Sequence, residues 1–113
     1  LELRYLAMEH VGKDLEQQGY EFLAVNSELK KDPQFVALKE GKLHFVVVRA
    51  TEYPANPKDY DEEFMIKMRD HAVNFKARTF YAGVGFGHAS GYDVPIKKGE
   101  AYSIAYTGLI EIE

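Results

Sequence analysis

Four histidines, His10, His44, His71 and His88, are the side chains best suited to hold a metal or move a proton near neutral pH. None stands in H-x-H, H-x₃-H or H-E-x-x-H spacing, so no pair is preset on one element, and each reads as an individual surface or half-buried residue. The run Gly83-Val84-Gly85-Phe86-Gly87-His88 invites comparison with a phosphate loop, but it lacks the G-x-x-x-x-G-K-[ST] pattern. Gly91, Asp93 and Pro95 continue it as loop rather than as a capped helix. A dinucleotide fingerprint fails as well, because that motif opens a helix early in a βαβ unit. Glycine at every second position strips one face of a strand, which suits close approach by a neighbour or by a small ligand near His88. No G-x-S-x-G or Ser-His-Asp pattern is present, and there is no cysteine, so serine and cysteine nucleophiles have no support.

The elements that must position these residues follow from hydrophobic spacing. Leu3, Leu6, Ala7, Val11 and Leu15 recur at helical intervals, and Gly19 stands where a C′ glycine would end that helix. Tyr20–Asn26 reads as a strand, residues 27–33 as a polar connection, and Gln34–Leu38 as a second strand. Glu40 and Gly41 make a tight turn into Lys42–Ala50, a third strand apolar on both faces as a central strand should be. Pro54 and Pro57 assign residues 51–60 to a loop. Asp59 or Asp61 can cap a second helix that reaches about Phe75, with Phe64, Met65, Met68 and Ala72 on its apolar face. Ala77–Gly87 is a fourth strand, His88–Gly99 a loop, and Tyr102–Ile112 a fifth strand. The expected fold is α/β, in the order α-β-β-β-α-β-β. It places two main helices on a mixed central sheet of about five strands. One domain spans 1–113.

That order resembles the core of the PD-(D/E)XK superfamily, the restriction-endonuclease-like fold. Over Ala7–Thr51 the text AMEHVGKDLEQQGYEFLAVN and DPQFVALKEGKLHFVVVRAT also looks like the small YraN-like and Holliday-junction-resolvase-like proteins. Those carry a helix Glu, a "GY" or "GF" after the helix, a strand ending on Asn, and an acid before an "FVEVK/R" strand. The resemblance covers under half of the chain closely and most of it by element order.

Carried over by position, the helix acid falls on Glu9 and is retained, whereas the aspartate of the first motif falls on Gln34. The acid of the second motif falls on Val47 and its lysine on Arg49. Mg²⁺ requires oxygen ligands, normally including carboxylates, and in a nuclease it must also activate the attacking water. Gln34 offers one neutral oxygen, Val47 none, and Arg49 stays protonated and cannot take a proton from water. The resemblance therefore implies a nuclease-fold domain whose ordinary cleavage chemistry is lost. Asp32, two residues before Gln34, falls on the same strand face by alternation and with Glu9 could form a displaced Mg²⁺ or Mn²⁺ site. The reading that weighs against this site makes Asp32 a turn residue before Pro33 and Glu9 a solvent-exposed residue of its helix; alternatively, Glu9 would pair with Arg49 across the helix–sheet contact.

A net charge of −4 gives no footprint for phosphate backbones, so nucleic acid is not an expected partner. The longest apolar run, around Phe45–Val48, is far below the ~20 residues of a membrane span, and no signal peptide is recognised, which makes the cytoplasm the expected compartment. The leading expectation is an inactive nuclease-like domain that needs no cofactor. It would bind an unknown protein partner or a second copy, the latter through the edge formed by the C-terminal strand unless Glu111 and Glu113 guard it. The alternatives are the displaced metal-dependent nuclease of Glu9 and Asp32, and a small-ligand domain using the glycine-bearing strand near His88.

Overall fold

The computed structural model describes residues 3–28, 31–88 and 102–113. Its first element, α1 (Leu3–Gln17), buries Ala7, Met8, Val11 and Leu15 along one stripe. Gly19, at φ +88°, lets the Tyr20 amide reach the Leu15 carbonyl at 3.0 Å and its own amide reach Glu16 O at 3.1 Å. This pair of bonds is the Schellman closure that a C′ glycine permits.

Three strands follow, β1 (Glu21–Val25), β2 (Phe35–Lys39) and β3 (Lys42–Glu52), each antiparallel to the one before. Glu40 and Gly41 both have positive φ, the two-residue hairpin geometry that keeps the natural strand twist, and Lys39 pairs directly with Lys42. Val46 and Val47, neighbours in β3, are both fully buried because a helix covers each face of the central strand. Asp61 caps α2 (Glu62–Val73), its carboxylate accepting from the Phe64 amide at 3.0 Å, while Glu62 and Glu63 sit at the positive end. The helix stops at Val73, two residues before Phe75, because residues 74–76 tighten into turns ending at Lys76 with φ +56°.

The chain then enters β4 (Ala77–His88), parallel to β3, in a register from Leu43 opposite Ala77 to Glu52 opposite Phe86. The expected fifth strand is two strands, β5 (Tyr102–Ala105) and β6 (Ile110–Ile112), both antiparallel to β4. Ala105 faces Gly85 and Ile110 faces Tyr81, so five chain steps on this edge oppose four on β4. The extra residue lets Tyr106 and Leu109 turn into the α1 side of the core.

The result is a six-stranded mixed sheet in the order β1-β2-β3-β4-β5, with β6 also on β4. Even-numbered residues of β3 and β4 (Val46, Val48, Phe80, Ala82, Val84, Phe86) pack against α1. On the other face, odd-numbered Val47 and Tyr81 pack against Met65 of α2, and Phe45 joins Ala72 and Ala77. Each large apolar side chain so buried contributes about 1.5–3 kcal/mol. β1 is an open edge on which Leu23 and Val25 are more than half exposed. Among the described residues no helix is long and apolar enough to cross a membrane.

Candidate functional site

Strand alternation decides which of the expected site residues can meet. Val47 points to the α2 face, where it is wholly buried among Met65, Tyr81 and Ile112. Arg49, two residues on, leaves the sheet on the same side and lies over the Phe64 ring, 5.4 Å from its centroid. Glu9 belongs to α1 on the opposite face. It is exposed and pairs with Lys13 one turn along the helix at 2.9 Å. Glu9 is thus the solvent-exposed helix residue, and the alternative Glu9–Arg49 bridge is not formed: the sheet stands between the two, and Arg49 has another partner.

That partner is Asp32. Arg49 Nη1 and Nη2 donate to Asp32 Oδ1 and Oδ2 at 2.8 and 3.2 Å, a two-point contact between planar groups. Gln34 Nε2 donates to Asp32 Oδ1 at 2.7 Å and to the Lys31 carbonyl at 3.1 Å. Its Oε1 accepts from the Val48 amide at 2.7 Å. Gln34 lies just ahead of β2, so its side chain satisfies a β3 amide at the point where the strand ladder ends. An amide suits both tasks, since its nitrogen donates to the carboxylate while its oxygen accepts from the N–H, which a carboxylate at this position could not do. Burial works against ionising Asp32, but the hydrogen bonds from Arg49 and Gln34 and the Arg49 charge prevail. The carboxyl is held below the usual carboxylate range.

Asp32, Gln34 and Arg49 thus come together, and Val47 lies next to them in sequence and on the same face. Glu9 does not join them. The remaining candidates are dispersed. His10 packs edge-on against Tyr106, and His71 packs against Phe75. His44 sits between Tyr20 and Phe80 with Nδ1 2.9 Å from the Lys42 carbonyl, and burial pushes its imidazole below the ordinary value. His88 is buried as the last residue of β4. The loop expected from His88 to Gly99 lies, beyond His88, outside the described residues. Among the described residues no three His, Asp or Glu are grouped so as to hold a metal ion.

Among the described residues, two clefts on the α2 face flank the 53–61 loop. One, of about 420 Å³, runs from Arg49 past Asp59, Tyr60 and Asp61 to Phe64 and Tyr81. The other, of about 410 Å³, lies over Gly85 and Gly87 with Tyr53, Pro57 and Ala105 around it. Between the clefts the 53–61 loop is pinned to β4, where Tyr81 Oη donates to the Pro57 carbonyl at 3.0 Å. A Cβ on Gly83 would stand 1.8 Å from that carbonyl oxygen, and one on Gly85 would stand 3.0 Å from the Pro57 ring. Close packing of this loop accounts for both glycines. The alternation pointed to this face of β4, whereas Pro57 as the neighbour left no signal in the sequence. The Asp32–Arg49 partnership was equally hidden, because opposite charges seventeen residues apart carry no spacing rule.

A family model for a domain of unknown function, DUF8840, matches residues 1–112. No curated protein and no solved structure matches the chain.

Proposed function

The chain belongs to the DUF8840 family, a domain of unknown function, and we propose, from its element order and site geometry, that it is a nuclease-fold-like domain that does not cleave nucleic acid and serves in binding or assembly. The element order α1-β1-β2-β3-α2-β4-β5-β6, in which β5 and β6 take the place of one expected strand, supports the restriction-endonuclease-like part of this reading. The observation that carries the inactive part is the closed arrangement of Asp32, Gln34 and Arg49. Both Asp32 oxygens are engaged by Arg49, the Gln34 oxygen is engaged by the Val48 amide, and Val47 is hydrocarbon inside the core. A divalent ion entering here would have to separate the Asp32–Arg49 pair and leave a guanidinium beside a cation.

The displaced site of Glu9 and Asp32 draws no support from this geometry, since the two carboxylates belong to different faces and each has a cationic partner. For assembly, the sequence favoured the C-terminal edge. β5 and β6 are short and separated by a bulge, features that discourage pairing with another strand. β1, with Leu23 and Val25 exposed, is the better edge for a protein partner or a second copy.

The test is titration calorimetry with Mn²⁺ and Mg²⁺ alongside cleavage assays on branched and single-stranded DNA. The proposal expects no saturable heat at millimolar metal and no cleavage. Metal binding that is lost in Asp32→Asn, or metal-dependent cleavage, would overturn it.

A further inference from the structure

We propose that the cleft over Gly85 and Gly87 is a binding site for an uncharged, flat, largely apolar small molecule. This goes beyond the reading above, which concerns the other end of the same face.

The cleft exists because two coverings of the sheet stop short of each other. α2 covers β4 around Tyr81, and the 53–61 loop covers Gly83 and part of Gly85 through Pro57. Past that point the buried backbone of β4 at Gly85 and Gly87 forms the floor, and β5 supplies the far wall at Ser103 and Ala105. A floor of extended peptide planes without Cβ atoms, flanked by the Pro57 and Tyr53 rings, is shaped for a planar molecule.

Among the described residues no Lys, Arg, Asp, Glu or His lines the cleft, so none of the described side chains there would recognise a phosphate, a carboxylate or an ammonium. Beside the Tyr53 hydroxyl, a polar group placed at its wall is the Ser103 hydroxyl. It donates to the Gly87 carbonyl at 3.2 Å and so keeps its lone pairs for a ligand donor. A volume of about 410 Å³ lies within the roughly 300–1,000 Å³ of small-molecule sites, which are apolar with a few placed polar groups. The position also agrees with the rule that open α/β sheets bind ligands at the carboxyl ends of their parallel strands, here β3 and β4. The Arg49 cleft is the weaker candidate, because Arg49 is already satisfied by Asp32.

The experiment titrates the protein with the neutral fluorophore N-phenylnaphthylamine, in parallel with its anionic counterpart anilinonaphthalene sulfonate. Amide shifts in a nitrogen–proton spectrum locate the site. The expected result is saturable binding of the neutral probe, with shifts at Gly85, Gly87 and Ala105, and weaker binding of the sulfonate. Ala55→Phe and Ala105→Phe, both at exposed positions on the walls, should each weaken the neutral probe about tenfold or more while the spectrum elsewhere stays folded. The proposal is overturned if the neutral probe does not saturate, if both variants bind it unchanged, or if the sulfonate binds equally well. It is also overturned if the same amides shift with protein concentration alone, which would assign the groove to a second copy. Metal and cleavage assays read the other end of the face, so failure here leaves the inactive-nuclease reading standing, and the converse holds.

Discussion

Gln34 accepts from the Val48 amide at 2.7 Å and donates to Asp32 at 2.7 Å, so one buried amide joins the start of β2, the central strand and the Asp32–Arg49 pair. The residue that the resemblance aligns with a metal-binding aspartate is thus a structural connector. Gln34→Ala should destabilise the fold by about 1–3 kcal/mol, because it leaves a buried N–H without a partner and removes a donor from Asp32. Urea denaturation checks this: the midpoint should fall with an unchanged slope.

The Asp32–Arg49 contact predicts an acid limb in stability. The folded-state carboxyl of Asp32 lies below its unfolded value. Its contribution is therefore present above the unfolded pKa of about 3.9 and is lost as pH falls through the lower folded value. Asp32→Asn should flatten that limb, and Arg49→Ala should also shrink it by removing the ion pair. Arg49 is partly exposed, so the effect at neutral pH should be modest. Thermal melts between neutral pH and strong acid, compared across the three proteins, measure it.

Restoring an acid at the second motif position should fail. Val47 is fully buried between Met65 and Tyr81, so Val47→Glu places a carboxylate in an apolar cluster with no arranged donor. A loss of about 3 kcal/mol or more is expected by chemical denaturation, without gain of Mg²⁺-dependent cleavage.

The glycines of β4 should rank in a definite order. Gly83→Ala forces a Cβ onto the Pro57 carbonyl and must displace the loop and its bond from Tyr81, at a cost of about 1–3 kcal/mol. Gly85→Ala meets only the edge of the Pro57 ring and should cost less. Paired melting curves decide this, and the reverse order would contradict the role given to Pro57.

How much of this was legible in the sequence depended on whether the signal was local. The Gly19 helix stop, the Glu40-Gly41 hairpin, the Asp61 cap and the doubly buried β3 rest on residues near one another in the chain, and the structure has them. The last strand was read as continuous because alternation persists on both sides of the break. The turn of Tyr106 and Leu109 toward α1 is a tertiary preference. For the site, Gln34 and Val47, at the positions that the resemblance assigns to acids, were visible as residue types. What Gln34 does instead depends on bonds to Val48 and Asp32, and no periodicity encodes those bonds. Placing Glu9 and Arg49 on opposite faces required knowing which helix covers which side of the sheet.

The central claim is that Asp32, Gln34 and Arg49 close the place where a nuclease would hold its metal. A crystal soaked in Mn²⁺, with anomalous data at the manganese edge, tests it most directly. The account predicts no manganese peak beside Asp32, with both Arg49–Asp32 bonds intact. A peak bound by Asp32, with Arg49 swung away, would contradict it.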